Sequence, residues 1–131
     1  MAPREAASIL IVEDEYLVAL QAEGALKDAG YEIVGIAGSA DEAVQKAEVS
    51  RPALVLMDIR LRGKRDGIDA ALELFSKYEI RCVFASAHQD LDARTRAEPS
   101  RPLGWLPKPY SMAALVEVVQ VALSRLCDEK A

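Results

Sequence analysis

The chain has 131 residues, 51% hydrophobic and 28% charged, a composition that fits one globular domain, leaves no room for a second and excludes a disordered chain. Its formal net charge of −5 argues against a nucleic-acid-binding module, which needs a basic face to meet phosphates. No stretch reaches the roughly 18 apolar residues of a membrane span, and Met1 to Ala7 lack the apolar run of a signal peptide.

In chain order, short aliphatic runs alternate with segments of helical period. Residues 1–7 read as an N-terminal tail. Ser8 to Val12 reads as a first strand, apolar without alternation, as in a strand covered on both faces. A helix follows from Glu15 to Ala29, with Leu17, Leu20 and Leu26 expected on its buried side and Gly30 as its stop. Tyr31 to Ala37 is the second strand. Ser39-Ala40-Asp41-Glu42 has the capping-box pattern and opens a helix to about Val49. Ala53 to Met57 is the third strand, again continuously apolar, and Gly67 to Lys77 the third helix.

Ile80 to Ala85 forms a fourth strand. A helix over Gln89 to Arg96 is cut short by Pro99 and Pro102, so a short or mobile fourth helix is expected. A weaker strand lies around Leu103 to Leu106, and Ser111 can cap a last helix running to about Cys127. The domain thus covers 8–127, with 128–131 as a C-terminal tail. Five strands alternating with about five helices predict an α/β domain: a flavodoxin-like, doubly wound parallel sheet of order 2-1-3-4-5. Cys82 and Cys127 belong to no CxxC or Cys/His cluster and read as ordinary thiols.

Ligands of open parallel sheets bind beyond the carboxyl ends of the strands. Strand one ends in Glu13-Asp14, strand three in Asp58, strand four in Ser86 and strand five in Lys108-Pro109. Each residue alone is an ordinary loop or turn residue; their agreement at four strand ends is the signal. Two carboxylates ~4 Å apart repel by ~4 kcal/mol at an effective dielectric near 20. A hard divalent cation offsets that repulsion, and carboxylates with water suit Mg²⁺. With the ammonium of Lys108 added, such a rim suits a dianionic phosphoryl group.

These residues, in this order and spacing over about 8–127, resemble the signature of response-regulator receiver domains. The resemblance implies that Asp58 is the nucleophile, taking a phosphoryl group from a phosphohistidine of a sensor histidine kinase or histidine phosphotransfer protein. It implies that Asp14, Asp58 and the backbone carbonyl of Arg60 hold Mg²⁺ (Mn²⁺ would also serve), with Glu13 acting through water. Lys108 would bind a phosphoryl oxygen, Ser86 would move to meet the phosphoryl group, and the Lys108–Pro109 peptide would be cis. Trp105, three residues before Lys108, stands where relatives more often carry Tyr or Phe, and reads as a switch aromatic or as plain packing.

Several features depart from the family pattern. The loop from Ile59 to Gly67 is one residue longer than usual and carries Arg60, Arg62, Lys64 and Arg65, read either as solvated charge or as a rim attracting an acidic kinase surface. Arg60 and His88 flank the site at positions that tune hydrolysis in the family. The long loop and altered fourth helix resemble receivers of some stress-signalling circuits. In the last helix, Met112, Ala113, Leu115, Val116, Val118, Val119, Val121, Ala122, Leu123 and Leu126 leave a narrow polar stripe; one face must pack on the sheet, and the surplus reads either as that packing or as a face for a partner or a homodimer through the fourth-helix, fifth-strand, fifth-helix surface.

The expected function is that of a stand-alone cytoplasmic response regulator. It would catalyse only its own phosphorylation and dephosphorylation, and signal by contact with a downstream protein, without nucleic acid or membrane. A phosphorylation-independent receiver acting as an interaction or dimerisation module is the alternative. An aspartyl-phosphate hydrolase is disfavoured because Arg60 stands where a second Asp would be needed. A dinucleotide-binding domain is disfavoured because no Gly-x-Gly-x-x-Gly follows strand one.

Overall fold

The apolar runs become five parallel strands in the order β2-β1-β3-β4-β5, here seen in a computed structural model that describes residues 7–87 and 91–130. β1 (Ser8–Val12), β3 (Leu54–Asp58) and β4 (Cys82–Ser86) are the central strands and are almost wholly buried. β2 (Glu32–Ala37) and β5 (Gly104–Pro107) form the edges. All four pairings are parallel, so the expected doubly wound architecture is present.

Side chains alternate across each strand, and the sheet divides the core in two. Ile9, Ile11, Leu54, Leu56 and Val83 pack with α1 (Tyr16–Asp28) and α5 (Met112–Lys130). Leu10, Val12, Val55, Met57, Cys82 and Phe84 pack with α2 (Ala40–Ser50), α3 (Gly67–Tyr78) and α4 (Leu91–Ala97). Continuous apolar runs are needed because both faces are covered.

The helices depart from expectation in instructive places. In α1 the buried residues are Ala19, Ala22 and Leu26, whereas Leu17 is 77% and Leu20 37% exposed. Leu17 stands about 200° around the helix from Ala19, so the two cannot share a face. Ser39 caps α2, its Oγ accepting from the Glu42 amide at 3.2 Å, but the Glu42 carboxylate takes the Gly38 amide, outside the expected box. The full capping box lies instead on α3, where Asp66 and Asp69 each accept the other's amide at 2.9 and 3.0 Å.

α4 is two turns long and passes into a 3-10 turn at Glu98–Ser100, where Pro99 sits. The early end expected from the prolines is thus observed, while Gln89 and Asp90, where the expected helix begins, lie outside the described residues. α5, capped by Ser111 Oγ at 3.0 Å from the Ala114 amide, runs to Lys130 rather than stopping near Cys127. Glu129 in that last turn pairs with Arg81 and with Arg101, which holds the helix end onto the sheet. Of the apolar surplus on α5, most is buried or half-buried against the sheet and α1; Val121 stays 52% exposed. Among the described residues, no helix is long and apolar enough to cross a membrane.

Candidate functional site

Parallel strands deliver their carboxyl ends to one rim, and the register sets who meets whom. Asp58, the last residue of β3, lies opposite Ala85, and Ser86, the last of β4, lies opposite Pro107. The Lys108 amide donates to the Ser86 carbonyl at 2.7 Å, tying the two strand ends together. Beyond β1, the Glu13 amide donates to Ala37 of β2 at 2.9 Å and turns its side chain into the same rim. The Lys108–Pro109 peptide is cis, as the resemblance implied.

Glu13 and Asp58 are buried, 6% and 7% exposed. The Lys108 ammonium donates to both, 2.9 Å from Glu13 Oε1 and 3.1 Å from Asp58 Oδ2. Burial, then the hydrogen bond and charge of Asp58, push the Glu13 carboxyl up to about 7, with Lys108 opposing. Burial would lower the Lys108 ammonium, but the two carboxylates outweigh it and raise it above its ordinary value. Burial likewise raises the Tyr110 hydroxyl at the edge of this site.

The arrangement fits a hard divalent cation. One oxygen from each of Glu13, Asp14 and Asp58 lies within 4.8 Å of the others. Glu13 Oε2 is buried without a hydrogen-bond partner, an orphan that a cation or its water would satisfy. Asp14 is more open, and Arg62 Nε approaches it at 4.0 Å. Arg60 offers its amide to Asp58 Oδ1 at 3.3 Å. The six expected residues other than Trp105 therefore belong to this rim, and Trp105 stands on β5, three residues before Lys108.

A family model described as the response regulator receiver domain matches residues 9–120. The chain belongs to the response-regulator receiver-domain family. It is 41% identical over 117 residues to the transcriptional regulatory protein PdtaR of Mycobacterium tuberculosis, covering 89% of this chain and 57% of that protein. It is 34% identical over 119 residues to the phyllosphere-induced regulator PhyR of Methylorubrum extorquens, covering 90% of this chain and 44% of that one. The chain thus spans about half the length of these curated relatives. Among solved structures, the signal receiver domain of a modulated diguanylate cyclase from Desulfovibrio desulfuricans superposes with a TM-score of 0.86 at 31% identity, over 95% of this chain and 99% of that one.

In this receiver the unusual residues have definite surroundings. Trp105 is half-buried and stacks on Phe84, ring centroids 4.8 Å apart at 25°, while the Arg94 guanidinium lies 4.7 Å over its ring. The basic loop is not simply solvated: Arg65 donates to Asp41 of α2 at 3.0 Å and also pairs with Glu73 of α3. Arg62 makes a backbone bridge to Ser39, leaving its side chain 85% exposed. His88 lies outside the described residues, as do 1–6 of the N-terminal tail.

Sequence reading missed Gly67. A Cβ there would stand 2.0 Å from the Asp58 carbonyl oxygen, so α3 starts directly against the candidate nucleophile's backbone. The Asp66-x-x-Asp69 spacing could have signalled the cap, but nothing in the sequence signals that contact.

Proposed function

We propose that this receiver accepts a phosphoryl group on Asp58 from a phosphohistidine and passes the change on by protein contact. The observation that carries this reading is the single ammonium of Lys108 shared between buried Glu13 and Asp58, with Asp14 completing the acidic rim. An Asp58 oxygen attacks phosphorus in line with the leaving imidazole nitrogen. The new O–P bond forms as the N–P bond breaks, and the electron pair stays on the imidazole, which picks up a proton. Lys108 neutralises a non-bridging phosphoryl oxygen, and the Ser86 hydroxyl, at the end of the adjacent strand, donates to another.

Glu13, Asp14, Asp58 and the Arg60 backbone carbonyl would hold Mg²⁺, whose chemistry is to offset charge on the phosphoryl oxygens. The chain then acts only on its own aspartate, first taking and later losing the phosphoryl group. The relatives named above are called regulators, which supports a regulatory output. A sensor kinase or phosphotransfer protein is the donor in this reading, a further protein the receiver of the signal, and the cytoplasm the place they meet. Among the described residues, self-association through α4, β5 and α5 would draw on Val121, which stays 52% exposed, and on the partly buried apolar residues of α5.

The test is mass spectrometry after incubation with Mg²⁺ and acetyl phosphate. A gain of one phosphoryl group in the native chain, absent in Asp58→Asn, is the expected result. No gain with acetyl phosphate or with a phosphorylated kinase would favour the phosphorylation-independent module.

A further inference from the structure

We propose that Arg96 fastens α4 to the strand end that carries Asp58, so that with Arg94 it gives α4 a route to the phosphoacceptor that does not pass through Ser86. The route's use in signalling rests on the function proposed above; the fastening itself does not.

The path begins at the backbone of Asp58. Gly67, the first residue of α3, packs so tightly that a Cβ would lie 2.0 Å from the Asp58 carbonyl oxygen and 2.9 Å from Met57 Cγ. Its amide donates to Ile59 at 2.7 Å. The backbone of Asp58 and the start of α3 are thus in direct contact. The residue before Gly67 is Asp66, the cap of α3, whose carboxylate sits beside that of Asp69 in the capping box. Two like charges at one helix start need a cation, and α4 supplies it. Arg96 donates to Asp66 Oδ2 at 3.0 Å, to Asp66 Oδ1 at 3.4 Å and to Asp69 Oδ1 at 3.2 Å. Burial alone would raise the Asp66 carboxyl, but the hydrogen bond from Arg96 leads a set of contacts that lowers it.

From α4 the path continues to β5. Arg94 lies over Trp105, and Trp105 stacks on Phe84, which is paired in register with Met57 beside Asp58. Residues 94 and 96 point about 200° apart around a helix, so α4 is gripped from two sides. Among its described side chains only Ala93 and Ala97 are buried. A two-turn helix with two buried methyl groups depends on such contacts for its position more than on packing. One exposed ion pair contributes little. One guanidinium shared by two carboxylates of a helix cap is the stronger, multidentate case.

Trp105 is the single tryptophan, so it reports on α4 directly. The experiment is acrylamide quenching of Trp105 fluorescence in the full chain, for the native protein, Arg96→Ala and Arg96→Lys, each with and without Mg²⁺ and beryllium fluoride. Fluorine NMR of bound beryllofluoride confirms occupancy. Without ligand, Arg96→Ala should raise the quenching constant, as a loosened α4 exposes more of the Trp105 ring, and Arg96→Lys should recover part of the native value. With ligand, the change in quenching seen in the native chain should fall to about half or less in Arg96→Ala. Ligand-free quenching that is the same in Arg96→Ala and native chain would overturn the fastening. A ligand response of native size in Arg96→Ala would overturn the route. A native chain that binds no beryllofluoride would defeat the phosphorylation reading instead, while the ligand-free comparison still decides the fastening.

Discussion

Lys108 holds its ammonium 3.1 Å from Asp58, and the same nitrogen is 2.9 Å from Glu13. One cation therefore serves two buried carboxylates, and that division has consequences for both charge and chemistry. Replacing it by an isosteric apolar residue, Lys108→Met, removes the group that meets a phosphoryl oxygen. The initial rate of phosphoryl gain from acetyl phosphate should fall by roughly 10²-fold, the usual scale for losing one preorganised donor. Mg²⁺ affinity, followed by Trp105 fluorescence, should rise, because the competing ammonium is gone. A fall in both quantities would mean that Lys108 chiefly holds the fold.

Glu13 gives a pH dependence whose sign is fixed. Its carboxyl is raised from an ordinary 4.5 to about 7, first by burial and then by Asp58. Between those values the folded chain binds more protons than the unfolded one, so this group's contribution to stability is full below 4.5 and is lost as pH rises through 7. In metal-free buffer the urea midpoint should therefore decline from about pH 5 to about pH 8, and Glu13→Gln should flatten the decline. Mg²⁺ should bind more tightly as the pH rises over the same window, since the proton it displaces is already gone.

Gly67 tolerates no side chain. The clash is with backbone, the Asp58 carbonyl oxygen at 2.0 Å, and cannot be relieved by a rotamer change. Gly67→Ala should cost about 3 kcal/mol, the upper range of overpacking effects, measured by urea unfolding. It should also slow phosphoryl gain in whatever fraction remains folded, whereas Gly24→Ala, where a Cβ meets nothing within 4 Å, should do neither.

Arg65 links two helices across the long loop, to Asp41 on α2 and Glu73 on α3. It is over a third exposed, so solvent screening limits its worth, and Arg65→Ala should cost about 1 kcal/mol or less. The hydrogen bond from Lys77, opposed by some burial, and that from Arg65 hold the Glu73 carboxyl below its ordinary 4.5. A lowered carboxyl contributes stability above its unfolded value and loses it as pH falls through the folded one. The difference between native and Arg65→Ala midpoints should accordingly shrink below about pH 4 and in high salt.

The fold was legible because period and punctuation agreed along the chain. The unbroken apolar runs of β1 and β3 are too short for helices and fit strands covered on both faces, and Gly30, Ser39, Ser111 and Pro99 mark helix ends by local chemistry. Leu26 of α1 is buried as expected, but Leu17 and Leu20 misled because apolar character does not say which face of a helix turns inward. Ala19 and Ala22 take that face, where small residues let the helix lie close, and Leu17 is left outside. The end of α5 misled for a different reason: Glu129 finds Arg81 and Arg101, partners far away in sequence.

The site divides along the same line. Residue type and position at strand ends were enough to gather Glu13, Asp14, Asp58, Ser86 and Lys108, since a parallel sheet must bring its carboxyl ends to one rim. How those charges are shared, how closely Gly67 backs onto Asp58, and which cation joins α4 to the α3 cap were decided only in three dimensions. Local chemistry selects the elements; contacts between residues far apart in the chain depend on register and packing, and no short stretch of sequence encodes them.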